Sequence, residues 1–228
     1  MEKSRILVWD LPTRVFHWLL AVSFAGAFLT AESEQYRDIH IMLGYTVLGL
    51  IAFRLFWGFF GTRYSRFSSF AFGPHKVLEY LKSLLARPPQ HYVGHNPAGS
   101  WAVYALLVLG ALAGISGYAL YAESGPEWLD SIHATAGNAM LAVVTLHVAG
   151  VIVSSFLHRE NLVKSMLTGY KRGVAEDGIR SRRGVVGGIV AIAVLVVWAG
   201  GFDIFFAATP GSPKDTVAHR QHAGEKDR

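Results

Sequence analysis

Five long apolar segments leave few folds open to this 228-residue chain. They occupy residues 13–31, 41–61, 100–121, 131–157 and 185–207. Each is close to the ~20 residues that a helix needs to cross the hydrocarbon layer of a bilayer. Helices and closed barrels are the only structures that satisfy all backbone groups there, and segments this long suit helices. We therefore predict an all-α membrane protein with a four-helix transmembrane bundle and a fifth, C-terminal transmembrane helix.

The composition and the placement of charge agree with this fold. The chain is 52% hydrophobic and 16% charged, which is too apolar for a soluble domain. Lys and Arg concentrate in the N-terminal leader and in the second and fourth connections, whereas the first connection has only Arg37 and the third has none. The positive-inside rule then places the N-terminus in the cytoplasm and the C-terminal tail on the outer side of the membrane. The net charge of +5 is thus explained without nucleic acid.

The connections subdivide the chain further. We predict a transmembrane domain over residues 1–172, a fifth span with its cytoplasmic lead-in over 173–208, and a flexible periplasmic tail over 209–228. The first span carries interface residues such as Trp9 and Trp18, so we interpret it as retained rather than as a cleaved signal peptide. The second connection has apolar residues at helical spacing and predicts an amphipathic helix on the cytoplasmic membrane surface, or one packed against the bundle. Those residues are Val77, Leu78, Leu81, Leu84 and Leu85.

Two histidines in the fourth segment indicate chemistry. His133 and His147 are fourteen residues apart, so they share one helix face with ~21 Å between them along the axis. Iron in haem takes an axial histidine on each side of the porphyrin, and two stacked haems would suit this spacing. The chain has no cysteine, which excludes disulfides, thiolate zinc sites, iron–sulfur clusters and covalently attached c-type haem. The alternative is that both histidines only pack against neighbouring helices.

Each iron needs a second ligand, and two other histidines lie at suitable depths. His40 opens the second span on the outer side, and His17 lies near the cytoplasmic end of the first. We predict that His40 pairs with His133 at an outer haem, and that His17 pairs with His147 at an inner haem. His158 is a rival inner ligand, although an eleven-residue spacing rotates it away from the face of His147.

Two arginines extend the candidate site. Arg54 lies inside the second span, fourteen residues after His40, where a lone charge costs at least ~2.5 kcal/mol and is usually functional. Its guanidinium could pair with a haem propionate or polarise a quinone carbonyl. Arg14, one turn before His17, could do the same. The alternative for both arginines is that they extend to the lipid headgroups.

Several short motifs occur together with the His133/His147 pair: Val8-Trp9-Asp10-Leu11-Pro12-Thr13-Arg14, His17-Trp18, Phe53-Arg54-Leu55, Trp57-Gly58, Arg66-Phe67 and Gly94-His95-Asn96-Pro97. As a set they resemble the bacterial cytochrome b561 family, which includes the b-type cytochrome subunits of membrane nickel–iron hydrogenases. The resemblance implies that the spans lie in a bacterial inner membrane, with the N-terminus in the cytoplasm and the C-terminus in the periplasm. The likeness runs over about residues 6–172 and implies that His17, His40, His133 and His147 hold two b haems in a four-helix core. One departure is the first periplasmic connection, which is shorter than in the hydrogenase subunits and favours a general quinone-linked cytochrome.

The sequence therefore predicts a dihaem membrane cytochrome b with two non-covalent haem b groups. It would move electrons between the quinone pool and a periplasmic carrier such as a c-type cytochrome, and its own enzymatic activity is left open. The resemblance leaves two further possibilities, a cytochrome subunit of a hydrogenase-like enzyme and a superoxide oxidase. A histidine-based metal or proton transporter is a different class; such transporters usually show internal repeats and intramembrane carboxylates, and neither is evident among the first four segments.

Overall fold

A computed structural model describes residues 4–86, 89–122 and 126–201. Its main elements, in chain order, are β1 (Ser4–Leu7), α1 (Leu11–Thr30), α2 (Arg37–Phe60), α3 (Pro74–Ser83), α4 (Pro97–Tyr121), α5 (Trp128–Leu157), α6 (Leu162–Thr168), β2 (Tyr170–Gly173) and α7 (Gly184–Val196).

Four helices have the length and hydropathy of transmembrane spans, and they lie where the first four apolar segments predict them. These are α1, α2, α4 and α5, with α2 beginning a few residues earlier than expected because a 3-10 turn leads into it. Helix α1 packs on α2, α2 on α4, and α4 on α5. Large apolar side chains such as Leu146 and Phe156 are exposed on the outer surface, as lipid-facing residues are. The predicted four-helix membrane architecture is confirmed.

The fifth apolar segment is only partly described. Helix α7 continues through one π turn to Gly201, and the stretch Gly184–Gly200 is shorter than the other four spans. Gly200 adopts φ 106°, a left-handed conformation that suits glycine and ends the regular helix. Residues 202–207 of the predicted span, and the predicted tail, lie outside the described residues. The fifth span therefore stays a prediction.

Helix α7 nevertheless packs closely on the bundle. A Cβ at Gly187 would lie 2.7 Å from Leu11 Cγ, so glycine allows α7 to approach the start of α1. Further along, Trp198 Nε1 donates to Thr46 Oγ1 of α2 at 3.1 Å. The described part of α7 is thus attached to α1 and α2.

A short antiparallel sheet is the main feature that the sequence did not predict. Strands β1 and β2 pair from Ser4 opposite Gly173 to Leu7 opposite Tyr170. The backbone N–H groups of Val8 and Trp9 then both donate to Gly169 O, at 2.8 and 3.0 Å. The expectation of a purely α-helical chain therefore needs this correction. We call this end of the bundle the sheet end; the opposite end, where α1 joins α2 and α4 joins α5, is the hairpin end.

Helix α3 confirms the amphipathic helix predicted in the second connection, although it ends at Ser83, so Leu84 and Leu85 lie beyond it. Tyr80 is buried, while Leu78 and Leu81 are about half exposed on the other side. An exposed apolar face on a helix beside a membrane bundle suits contact with lipid.

Candidate functional site

The structure brings together the two histidines of the outer pair. His40 on α2 and His133 on α5 have their ring centres 5.9 Å apart and their ring planes at 77° to each other. His40 Nδ1 lies 2.8 Å from Ala27 O on α1, and His133 Nδ1 lies 2.9 Å from Ala113 O on α4. A carbonyl oxygen only accepts hydrogen bonds, so each Nδ1 carries the proton and each Nε2 keeps its lone pair. Such a bond behind the ring is what orients a histidine that binds a metal through its other nitrogen.

A cavity of ≈ 250 Å³ lies against this pair at the hairpin end. Two glycines on its wall leave room for a large planar group. A Cβ at Gly117 would lie 2.9 Å from Cε1 of His133, whereas a Cβ at Gly44 would meet no atom within 4 Å. Gly117 therefore fixes where the His133 ring can lie, and Gly44, one turn after His40, keeps the wall of the cavity open.

The inner pair has a different environment. His17 on α1 lies within electrostatic range of His147 on α5. The His17 ring packs edge to face on Trp18, with ring centres 5.1 Å apart. Its Nδ1 is enclosed and has no hydrogen-bond partner among the described residues. A buried polar atom without a partner is costly in a folded protein, so this nitrogen points to a group that the protein binds.

A third histidine, which the sequence reasoning did not select, lies beside the inner pair. His95 precedes α4 and packs between Trp9 and Phe70, with ring centres 4.8 and 4.3 Å away. Its Nδ1 is also enclosed without a partner in the described part of the chain. Burial lowers the pKa of His95 to about 3, and the nearby positive charge of Arg54 adds to this effect, so the ring is neutral at physiological pH. The motif Gly94-His95-Asn96-Pro97 was the available signal.

Arg54 is a buried cation in the same region. The residue is only 2% exposed, and its guanidinium carbon lies 4.8 Å from the ring centre of Phe67 and 5.8 Å from that of Phe70. Its Nη1 has no hydrogen-bond partner, and no ion pair involves it among the described residues. Burial rules out the alternative that Arg54 extends to the headgroups. The carboxylate of Asp10 lies within electrostatic range of Arg54 but makes no direct ion pair with it. The guanidinium can therefore bind a further anion directly, beside the enclosed nitrogens of His17 and His95.

Two other candidates have contacts of their own. Arg14 Nη2 donates to Leu167 O at the end of α6, while its Nε is enclosed without a partner in the described residues. His158 holds both ring nitrogens against backbone carbonyls, Nδ1 on Ser154 O at 2.9 Å and Nε2 on Gln90 O at 3.0 Å. These contacts give His158 no position as a partner of His147.

Asp10, quoted above only as part of a motif, organises the sheet end. This fully buried carboxylate caps α1 by accepting from Thr13 N at 2.8 Å. It also accepts from Trp57 Nε1 at 3.0 Å, from Thr62 Oγ1 at 2.7 Å and from Ser65 Oγ at 2.8 Å. Four neutral donors thus join the start of α1 to the end of α2. This junction sets His17 and Arg54, which lie on those two helices, relative to each other.

Comparison with known proteins agrees with this arrangement. The family described as prokaryotic cytochrome b561 matches residues 8–169. This chain belongs to that family. It is therefore a multi-pass bacterial membrane protein and a b-type cytochrome, and the family implies haem b as its cofactor. The match covers α1 to α6 and ends just before β2.

Several curated relatives carry hydrogenase-related names. The chain is 24% identical to a probable Ni/Fe-hydrogenase B-type cytochrome subunit of Azotobacter vinelandii over 220 residues, covering 75% of this chain and 90% of that protein. The corresponding protein of Rhizobium leguminosarum bv. viciae is 25% identical, covering 74% and 90%. The probable Ni/Fe-hydrogenase 1 B-type cytochrome subunit of Escherichia coli K12 is 24% identical, covering 72% and 89%. No solved structure gives a significant match.

Proposed function

We propose that this protein is a dihaem cytochrome b that passes single electrons between the membrane quinone pool and a periplasmic electron carrier such as a c-type cytochrome. His40 and His133 would hold an outer haem, and His17 and His147 an inner one. The haem irons supply one-electron chemistry, while the protein supplies ligation, spacing and electrostatics. The observation that carries the proposal is the outer pair, whose two Nε2 lone pairs are left available by hydrogen bonds at Nδ1.

The spacing of the outer pair supports ligation of one iron. Two imidazoles that each bound the same metal ion through a bond of about 2 Å would have ring centres roughly 6 Å apart. The centres of His40 and His133 are 5.9 Å apart. The open wall at Gly44 and the cavity of ≈ 250 Å³ provide the adjoining space.

The inner pair is supported by its polar neighbours. A haem propionate beside Arg54 would give this buried guanidinium a direct anionic partner, through a charge-assisted hydrogen bond. His95 is neutral and can donate one further hydrogen bond to the same carboxylate. Arg14 keeps its Nε available on the same side, although its Nη2 is already bonded to Leu167 O. A quinone carbonyl is the alternative partner for Arg54.

The orientation follows from the charges on the two ends. The sheet end carries the basic connections and would face the cytoplasm, whereas the hairpin end carries exposed Glu32, Glu34 and Asp38 and would face the periplasm. The outer pair would then exchange electrons with the periplasmic carrier across the bacterial inner membrane.

The names of the curated relatives favour a second candidate, a cytochrome subunit of a membrane redox enzyme such as a hydrogenase. In that role the chain would pass electrons from a partner subunit to quinone rather than to or from a soluble cytochrome. The two candidates share the haem sites and differ in the partner at the hairpin end. Purification from native membranes under mild detergent distinguishes them, because only the second predicts a hydrogenase large subunit in stoichiometric amount.

Anaerobic absorbance spectroscopy tests the electron-transfer function directly. Addition of a short-chain quinol to the oxidised protein should produce the sharp α band of reduced b-type haem. Addition of oxidised c-type cytochrome should then remove that band as the acceptor is reduced. Absence of reduction by quinol, in protein that dithionite does reduce, contradicts the quinone-linked function.

A further inference from the structure

The sheet end holds a cluster of titratable side chains that the proposed haem sites do not use. We call it the His158 cluster; it consists of His91, His158, Glu160 and Lys171. They surround a cavity of ≈ 40 Å³ between the end of α5, β2 and the segment that precedes α4, which is large enough to admit water. The other titratable groups on its wall are Tyr80 of α3 and Tyr92.

The hydrogen-bond pattern of His158 fits two protonation states. Its Nδ1 lies 2.9 Å from Ser154 O and its Nε2 lies 3.0 Å from Gln90 O. Both carbonyls only accept, so a doubly protonated imidazolium satisfies both contacts. The hydroxyl of Ser154 lies 3.3 Å from the same Nδ1 and can donate to it when that nitrogen is unprotonated. The two arrangements differ by one proton and leave neither ring nitrogen without a partner.

Glu160 supplies the negative charge that this proton-binding site needs. Its Oε2 lies 3.0 Å from Lys171 Nζ and 3.5 Å from His91 Nε2. Burial raises the pKa of Glu160, but His91 and Lys171 outweigh this and hold it below its usual value, so the carboxylate stays charged. The rings of His91 and His158 lie 5.5 Å apart between their centres. Glu160 contacts His91 and Lys171 directly, and it places a negative charge on the wall of the cavity that His158 also lines.

The His158 cluster is connected to the inner pair. Lys171 Nζ donates to Val93 O at 3.0 Å, and residues 93–95 lead from there to His95. Lys171, Arg54, His17 and His147 all lie within electrostatic range of His95. An electron that arrives at the inner site lowers the local charge by one, and this favours a proton on a neighbouring base.

We propose that His158 binds a proton from solvent when the inner site is reduced, with the carbonyls of Ser154 and Gln90 accepting from the imidazolium and the charge of Glu160 favouring it across the cavity. This inference rests on the proposed inner haem. The balance is one electron gained by the inner iron, from quinol or another one-electron donor, and one proton gained by the His158 imidazole from water. His158 then acts on the inner haem only through the charge of its proton, and it does not bind the iron.

The pH dependence of the inner haem's midpoint potential tests the proposal. In the wild-type protein the potential should fall as pH rises, by at most about 59 mV per unit. His158→Gln should remove most of this slope, because glutamine keeps hydrogen-bonding capacity but cannot gain a proton. Glu160→Gln should move the sloping region to lower pH. His75 and Glu79 on α3 lie 3.2 Å apart and outside the His158 cluster, so His75→Gln and Glu79→Gln are controls for loss of a histidine and of a glutamate, and both should keep the wild-type slope.

A second readout separates proton binding from a structural effect. Redox-difference infrared spectra of protein labelled with isotopic histidine should show imidazole-to-imidazolium bands that are lost in His158→Gln and kept in His75→Gln. A wild-type potential independent of pH, or an unchanged slope in His158→Gln, overturns the proposal. Haem quantitation is done first: a missing inner haem contradicts the proposed function itself, whereas a bound haem with a pH-independent potential contradicts only the proton site.

Discussion

His40 of α2 and His133 of α5 have their ring centres 5.9 Å apart, and the Nδ1 of each ring lies against a backbone carbonyl of one of the other two spans. His40 is held by Ala27 of α1, and His133 by Ala113 of α4. All four spans therefore contribute to the placement of one pair of rings. The site is a property of the whole bundle rather than of the two helices that carry the histidines.

Replacement of Gly117 by valine should remove the outer haem selectively. A Cβ there would lie 2.9 Å from the His133 ring, so the ring must move and its bond to Ala113 O is lost. We expect the loss of one of two redox transitions in a spectroelectrochemical titration. Gly150→Val on α5, where a Cβ meets nothing within 4 Å, is the control and should keep both. Two intact transitions in Gly117→Val contradict the placement of the outer haem.

Arg54→Leu should lower the midpoint potential of the inner haem. A buried positive charge favours the reduced, less positive iron, so its removal should shift the potential down by an amount on the order of tens of millivolts. Arg54→Lys should restore only part of the shift, because an ammonium cannot form the bidentate fork. Redox titration of both variants measures this. Unchanged potentials in Arg54→Leu would leave Arg54 without a role at a haem.

The spans were predictable because their signal is local and strong. Apolar segments of ~20 residues gave α1, α2, α4 and α5 to within a few residues, and the fourteen-residue spacing put His133 and His147 on one face. His40 and His133 could be paired from the sequence because consecutive spans run in opposite directions, which puts both histidines at the outer ends of their spans. Arg54 was recognised because a lone charge in an apolar segment is unusual.

The sheet end was not predictable in the same way. Strands β1 and β2 have only four residues each, which is too short for an alternating apolar pattern that would distinguish them from loops. They are also far apart in the sequence, because all four spans lie between them. His95 lies in a connection, and its enclosure depends on Trp9 and Phe70 from two other segments. The role of Asp10 as acceptor for Trp57 likewise exists only after α1 and α2 have packed.

Asp10→Asn should destabilise the protein. Trp57, Thr62 and Ser65 all donate to one oxygen of the Asp10 carboxylate. The side chain of asparagine has an NH2 group in place of one oxygen, so at least one hydrogen bond to the carboxylate is lost and two donors then face each other. Loss of a charged hydrogen bond costs about 1.5–3 kcal/mol. We expect a lower midpoint of thermal unfolding in detergent, followed by circular dichroism. Asp38→Asn, at an exposed position, is the control; equal midpoints in the two variants contradict the proposed junction.

Electron exchange with a basic c-type cytochrome should slow as ionic strength rises. Glu32, Glu34 and Asp38 are exposed at the hairpin end, and steered encounters lose at least about tenfold in rate between low and high salt. Stopped-flow mixing measures the rate. Neutralising these three carboxylates should remove most of the salt dependence, whereas Glu79→Gln at the sheet end should not. If the rate changes neither with salt nor with the three substitutions, the acidic residues do not bind the cytochrome and are explained by the positive-inside charge bias alone.

The number of haems per chain tests the account most directly. Pyridine haemochrome quantitation against protein concentration should give two non-covalent b haems for the wild type. The variants His40→Ala and His133→Ala should each retain one haem with the same potential, and His17→Ala and His147→Ala should each retain the other. One haem or none in the wild-type protein, or loss of the same haem in His40→Ala and His147→Ala, would contradict the ligand scheme on which the proposed function depends.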